Sequence, residues 1–189
     1  RTLTDFHAAE PIRLGMPADA LRARLRLEPA PFETLLDVWR AENWIFVESG
    51  GLVRLPDHDV RFSPAQETAI QKLRGDFAAQ PNTPPTVSAA RERIGEDVLA
   101  TLIARGEFVR ISSEVMLAPD VFDTWIKFTR ATLDAGEDLT VAVLRDHFST
   151  TRRYALDFLE RLDALAITRR SGDTRVRGSA PWDRLDQLR

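Results

Sequence analysis

The sequence contains no cysteine, which excludes a disulfide framework and any zinc site built on thiolates. Its three histidines, His7, His58 and His147, stand too far apart to show metal-ligand spacing. No stretch approaches the roughly 18 consecutive apolar residues that a membrane span needs, and the start lacks the basic-then-apolar pattern of a secretory signal. The expectation is a cytoplasmic protein with no membrane partner. Lysine is scarce too: of 26 basic residues only Lys72 and Lys127 are not arginine, a bias that genomic base composition can produce and that carries no functional weight alone. The chain opens at Arg1 without methionine, inside what reads as a helix, and is expected to be a piece of something longer.

What is present is the balance of a globular protein, 43% hydrophobic and 29% charged. The charge is unevenly placed. From Leu139 to Ser179 eight arginines (145, 152, 153, 161, 169, 170, 175 and 177) face five acids, a surplus of three positive charges in a chain whose net charge is -3. An acidic body with a basic end points to a polyanion met only by that end.

One pattern recurs three times: helices, then two short strands joined by a turn. Ile45–Val47 and Leu52–Val53 flank Ser49-Gly50-Gly51; Phe108–Ile111 and Val115–Leu117 flank Ser112-Ser113; Ile167–Arg170 and Thr174–Val176 flank Gly172-Asp173. An amphipathic helix precedes each hairpin, over Phe32–Ala41, Val98–Arg105 and Thr151–Leu165. In the last, Ala155, Phe158, Leu159 and Leu162 repeat at i, i+3, i+4 and i+7, a core-facing stripe. Helices followed by a β-hairpin form the winged helix-turn-helix plan. The predicted fold is therefore α+β, mainly α, with three tandem winged helices at 1–62, 63–120 and 121–178, then a tail at 179–189. Ser63-Pro64-Ala65-Gln66 carries a capping box with proline at the first helical position, opening the second unit. Pro81-Asn82-Thr83-Pro84-Pro85 ends that helix, and the helices after it are compressed.

Chemistry concentrates in the third unit. Thr150, Thr151, Arg152, Arg153 and Tyr154 open its third helix, with hydroxyls available for capping. Arginines there oppose the helix dipole, so an anion would restore the balance. Alternatively Arg153 pairs with Asp157 and Arg152 covers apolar surface with its stem. In the hairpin, a two-residue turn at Gly172-Asp173 sets Arg170 opposite Arg175, with Arg177 on the same face; a bulge would substitute Arg169. Opposed like charges destabilise a ribbon, which suits a wing that straddles a polyanion. Arg22, Arg24 and Arg26 in the first unit, and Arg91, Arg93 and Arg110 in the second, are interspersed with acids and read as solvated faces. Trp39, Trp44 and Trp125 read as core or inter-unit contacts. No nucleophile with a base, phosphate-cradling loop or carboxylate pair marks an active site, so the chain reads as a binding module and not an enzyme. A DNA-binding regulator and a protein-interaction arm are the alternatives.

Thr150-Thr151-Arg152-Arg153-Tyr154-Ala155, Leu159-Glu160-Arg161-Leu162-Asp163 and Thr168-Arg169-Arg170-Ser171-Gly172-Asp173-Thr174-Arg175 resemble the last winged helix of the bacterial selenocysteine-specific elongation factors (SelB). Leu3, Phe6-His7, Pro11, Gly15-Met16 and Leu21-Arg22 resemble the start of that family's second winged helix; Leu55-Pro56-Asp57-His58 with Phe62-Ser63 resembles the passage into the third. Threonine at 151 where serine is common, arginine for lysine at 153 and the compressed middle unit depart from the pattern, and the tail is not covered by it. With no dimerisation segment evident, a monomer is expected, and the resemblance implies that its last unit binds the selenocysteine insertion hairpin of an mRNA, through Thr150, Thr151, Arg152, Arg153, Tyr154, Arg169, Arg170, Gly172, Asp173 and Arg175. It implies no cofactor in this part of the chain. GTP, Mg and selenocysteinyl-tRNA would belong to upstream domains, the ribosome would be met through the whole factor, and the first two units would be spacer and hinge.

Overall fold

Apolar periodicity and turn chemistry place all three hairpins behind helices in the computed structural model, in which residues 1–188 are described. The first unit comprises α1 (Thr2–Ala9), β1 (Met16–Pro17), α2 (Ala18–Leu25), α3 (Pro29–Ala41), β2 (Phe46–Glu48) and β3 (Leu52–Arg54). Helix α3 starts on Pro29, where a missing N–H is harmless, and buries Phe32 and Leu36 against Met16, Leu21 and Val53. Its sheet has the order β1-β3-β2. Trp44, expected in the core or at an inter-unit contact, is 61% exposed. It precedes the edge strand β2 and borders an apolar recess of about 270 Å³ with Leu3, Leu21, Leu25 and Trp39.

The second unit has α4 (Pro64–Ala79), α5 (Val87–Ile94), α6 (Glu96–Ala104), β4 (Val109–Arg110) and β5 (Met116–Leu117). The Ser63/Gln66 capping box forms in both directions. Compression shows in the sheet, which has two strands where the flanking units have three.

The third unit has α7 (Pro119–Asp134), β6 (Leu139–Thr140), α8 (Val141–Phe148), α9 (Arg152–Ala164), β7 (Thr168–Ser171) and β8 (Thr174–Arg177), with sheet order β6-β8-β7. The stripe Ala155, Phe158, Leu159 and Leu162 is fully buried. It closes on Trp125, whose ring stacks on Phe148 at 4.9 Å and meets Phe158 edge-on at 5.2 Å. Gly178 donates to the Ile167 carbonyl at 2.8 Å, so close to Ala166 that a Cβ would strike its carbonyl. The tail then turns through a 3-10 helix, Trp182–Leu188, which sends Leu185 into the same core. A segment outside both the pattern and the resemblance thus completes the third unit's packing.

The units are not beads on a string. Between the first two, Arg13 pairs with Asp97 at 2.9 Å and Thr101 donates to the Ile12 carbonyl at 2.6 Å. Between the last two, Val109, Ile111, Val115 and Leu117 of the middle hairpin join the apolar cluster built on Trp125 and Phe158. Burial shared in this way couples the two units, because separating them would return that apolar surface to water.

Candidate nucleic-acid interface

The front of α9 is assembled by a tight helix-turn-helix corner. Ser149 ends α8 in the left-handed conformation (φ 50, ψ 40), and Thr151 caps α9 by accepting from the Tyr154 N–H. No acid occupies the first turn of α9. Arg152 and Arg153 are exposed there with the helix dipole against them. Arg153 does not pair with Asp157, the alternative read from the sequence. Its Nη2 lies 3.7 Å from Glu114 of the middle hairpin, and Asp157 instead accepts from Ser112 at 2.7 Å. Helical spacing could not reveal this exchange of partners, because Ser112 lies 45 positions before Asp157.

The wing adopts the two-residue turn with no bulge. Ser171 pairs with Thr174, Arg170 with Arg175 and Arg169 with Val176. Gly172 takes φ 62, the left-handed value a glycine-first hairpin turn requires. Arg169, Arg170, Gly172 and Asp173 are all exposed. The opposed arginines are relieved from inside: Arg175 is only 4% exposed, and its Nε donates to Asp163 of α9 at 3.2 Å. Asp163 also accepts from Thr168 at 2.6 Å. Like-charge strain between Arg170 and Arg175 is therefore weaker evidence for a polyanion than the sequence suggests. Beside the wing, Arg169, Arg170, Arg177, Gly178 and Ser179 line an open recess of about 460 Å³.

Three of the ten residues expected at the interface turn inward. Besides Arg175, Thr150 is 8% exposed and donates to the Asn82 carbonyl, and Tyr154 is 6% exposed and donates to the Pro84 carbonyl. Burial pushes the Tyr154 phenol above its ordinary range, against the opposing effect of Arg153. Buried hydroxyls need partners, and here the middle unit supplies them. The outward set is Thr151, Arg152, Arg153, Arg169, Arg170, Gly172 and Asp173. Arg152, Arg169 and Arg170 have no carboxylate within ion-pair distance among the described residues, whereas most arginines of the first two units do.

A short-turn helix pair backed by a three-stranded sheet, with exposed guanidinium groups on its last helix and wing, defines a tandem winged-helix protein whose basic surface lies in the final unit. Family models described as elongation factor SelB, winged helix, match residues 1–55, the second winged helix of that family, and 131–177, the third, whereas the resemblance puts the passage into the third at residues 55–63. Together they span more than half of the chain, which belongs to the SelB elongation-factor family. It is 26% identical over 181 residues to the selenocysteine-specific elongation factor of Desulfomicrobium baculatum, a match covering 92% of this chain and 28% of the relative. The chain thus spans little more than a quarter of that protein's length. Solved structures align with it as well. The mRNA-binding domain of E. coli SelB in complex with SECIS RNA aligns at 21% identity and TM-score 0.46, covering 62% of this chain and all of that one. A bacterial selenocysteine-specific elongation factor EF-Sec aligns at 19% identity and TM-score 0.46, covering 94% of this chain and 28% of that one.

Proposed function

We propose that the last winged helix binds the selenocysteine insertion hairpin of an mRNA and tethers the elongation factor to the message for recoding of UGA. The observation that carries this reading is the group of exposed guanidiniums without carboxylate partners among the described residues, Arg152, Arg169 and Arg170, on an otherwise acidic chain of the SelB family. Thr151 and the first turn of α9 present backbone N–H groups to a phosphate, which Arg152 and Arg153 flank. Arg169 and Arg170 reach a second stretch of backbone from the wing, the planar fork of arginine suiting phosphate contact and stacking on unpaired bases. Sequence-specific contact falls on loop bases, since the A-form major groove is too narrow for side chains to read. Tethering raises the local concentration of the loaded factor near the codon without any new contact to the ribosome. GTP hydrolysis and selenocysteinyl-tRNA binding belong, in this reading, to parts of the factor outside this chain.

The test is a fluorescence-anisotropy titration of the chain with a labelled hairpin from the source organism's own selenoprotein message, against duplex DNA of equal length at equal salt. Tighter binding to the hairpin, weakening steeply with salt, is the expected result. Equal or tighter binding to the duplex would assign the surface to DNA, and salt-insensitive or absent binding to both would remove the nucleic-acid role.

A further inference from the structure

Helix α9 uses three sides. Ala155, Phe158, Leu159 and Leu162 face its own core, and Arg152 and Glu160 face solvent. Arg153, Tyr154 and Asp157 fall at i, i+1 and i+4, a second stripe on one side of the helix that Thr150, just before the capping residue, extends. Every member of that stripe meets the middle unit: Thr150 the Asn82 carbonyl, Arg153 the Glu114 carboxylate, Tyr154 the Pro84 carbonyl, and Asp157 the Ser112 hydroxyl.

The loop that receives Thr150 and Tyr154 is itself held. Pro81, Pro84 and Pro85 restrict its backbone, and the Asn82 Oδ1 accepts at 3.0 Å from Nε1 of Trp125, a fully buried residue of the last unit. Thr150 and Tyr154 bracket Arg152 and Arg153 in sequence, so the two hydrogen bonds to this loop fix the backbone from which both arginines project. From this geometry we infer that the Asn82–Pro84 loop of the middle winged helix is a positioning element for RNA binding, acting through Thr150 and Tyr154. Neither residue has to touch RNA. The inference rests on the RNA reading above and adds to it that the binding surface is incomplete without the middle unit.

The experiment uses the 189-residue chain and the same labelled hairpin, titrated across a salt series. The variants are Tyr154→Phe, Thr150→Val, Thr150→Ser and Asn82→Ala, the last altering no residue of the final unit. Tyr154→Phe, Thr150→Val and Asn82→Ala are each expected to weaken binding by about twofold to tenfold, the range that removal of one neutral hydrogen bond corresponds to. They are also expected to flatten the salt slope by roughly 0.7 to 0.9 as one phosphate goes unneutralised. Thr150→Ser keeps the donor and restores both. Partial unfolding alone would lower the fraction of active protein and leave the slope of the folded molecules unaltered, which separates misfolding from displacement. Wild-type affinity and slope in Tyr154→Phe and Asn82→Ala, with the parent chain binding normally, would overturn the positioning role. Absence of salt-sensitive binding by the parent chain overturns the RNA reading itself, and the positioning role with it.

Discussion

Arg170 and Arg175 are cross-strand neighbours with opposite surroundings, and exchanging each for alanine separates binding from stability. Arg170 is exposed, and among the described residues it bonds to the Gly172 carbonyl at 2.9 Å within its own turn. Arg170→Ala should therefore change folding stability by less than about 0.5 kcal/mol, as exposed substitutions do. The same variant should reduce the salt slope of RNA binding by roughly 0.7 to 0.9 for each phosphate it no longer neutralises. Arg175 is buried against Asp163, and removing it strands that carboxylate. Breaking a buried pair costs about 3 to 5 kcal/mol. The lower end applies here, because the Asp163 side chain is 23% exposed and keeps its bond from Thr168. Arg175→Ala should thus lose about 3 kcal/mol in urea unfolding, with the RNA salt slope of the folded protein unchanged. The two measurements, urea midpoint and logarithmic salt slope, are made on the same preparations. If Arg175→Ala flattens the slope as Arg170→Ala does and leaves the urea midpoint in place, the inward assignment of Arg175 is wrong.

His7 makes the first unit sensitive to acid. Its ring is buried, stacks on His58 at 3.6 Å and accepts from the Leu55 N–H, and burial first, then the neighbouring His58 charge, lowers its pKa to about 4. The unfolded chain, with an ordinary value near 6.5, binds the extra proton more readily, so this contribution is complete above about pH 7 and is lost as pH falls through 6.5 towards 4. Its upper limit is roughly 3 kcal/mol. Replacing His7 with glutamine should flatten the stability profile in that window, and an equally steep profile in the variant would place the sensitivity elsewhere. At the other end, Glu114→Gln frees Arg153 from its carboxylate neighbour. Hairpin affinity should rise roughly twofold to fivefold at low salt, the strength of an exposed ion pair, and the gain should shrink as salt screens it. Weaker binding would show that Glu114 orients Arg153 productively.

Local rules determined much of this protein. The capping box at Ser63, the α9 stripe, the Gly172-Asp173 register and the capping of α9 by Thr151 each depend on residues within a few positions of one another. Hydrophobic period and turn chemistry act at that range, so the pattern of three helix-and-hairpin units and the basic end were legible from order alone. What only the tertiary structure decided is which polar groups of the last unit face water. Thr150 and Tyr154 read as surface residues until a loop nearly 70 positions earlier takes their hydroxyls. Arg175 reads as a free cation until Asp163 reaches it across the helix-sheet interface. Arg153 meets a carboxylate from another unit instead of the one on its own helix. A charged side chain goes where its desolvation is best compensated, and the compensating partner is set by how helices and sheets pack, a relation that no short window of sequence contains.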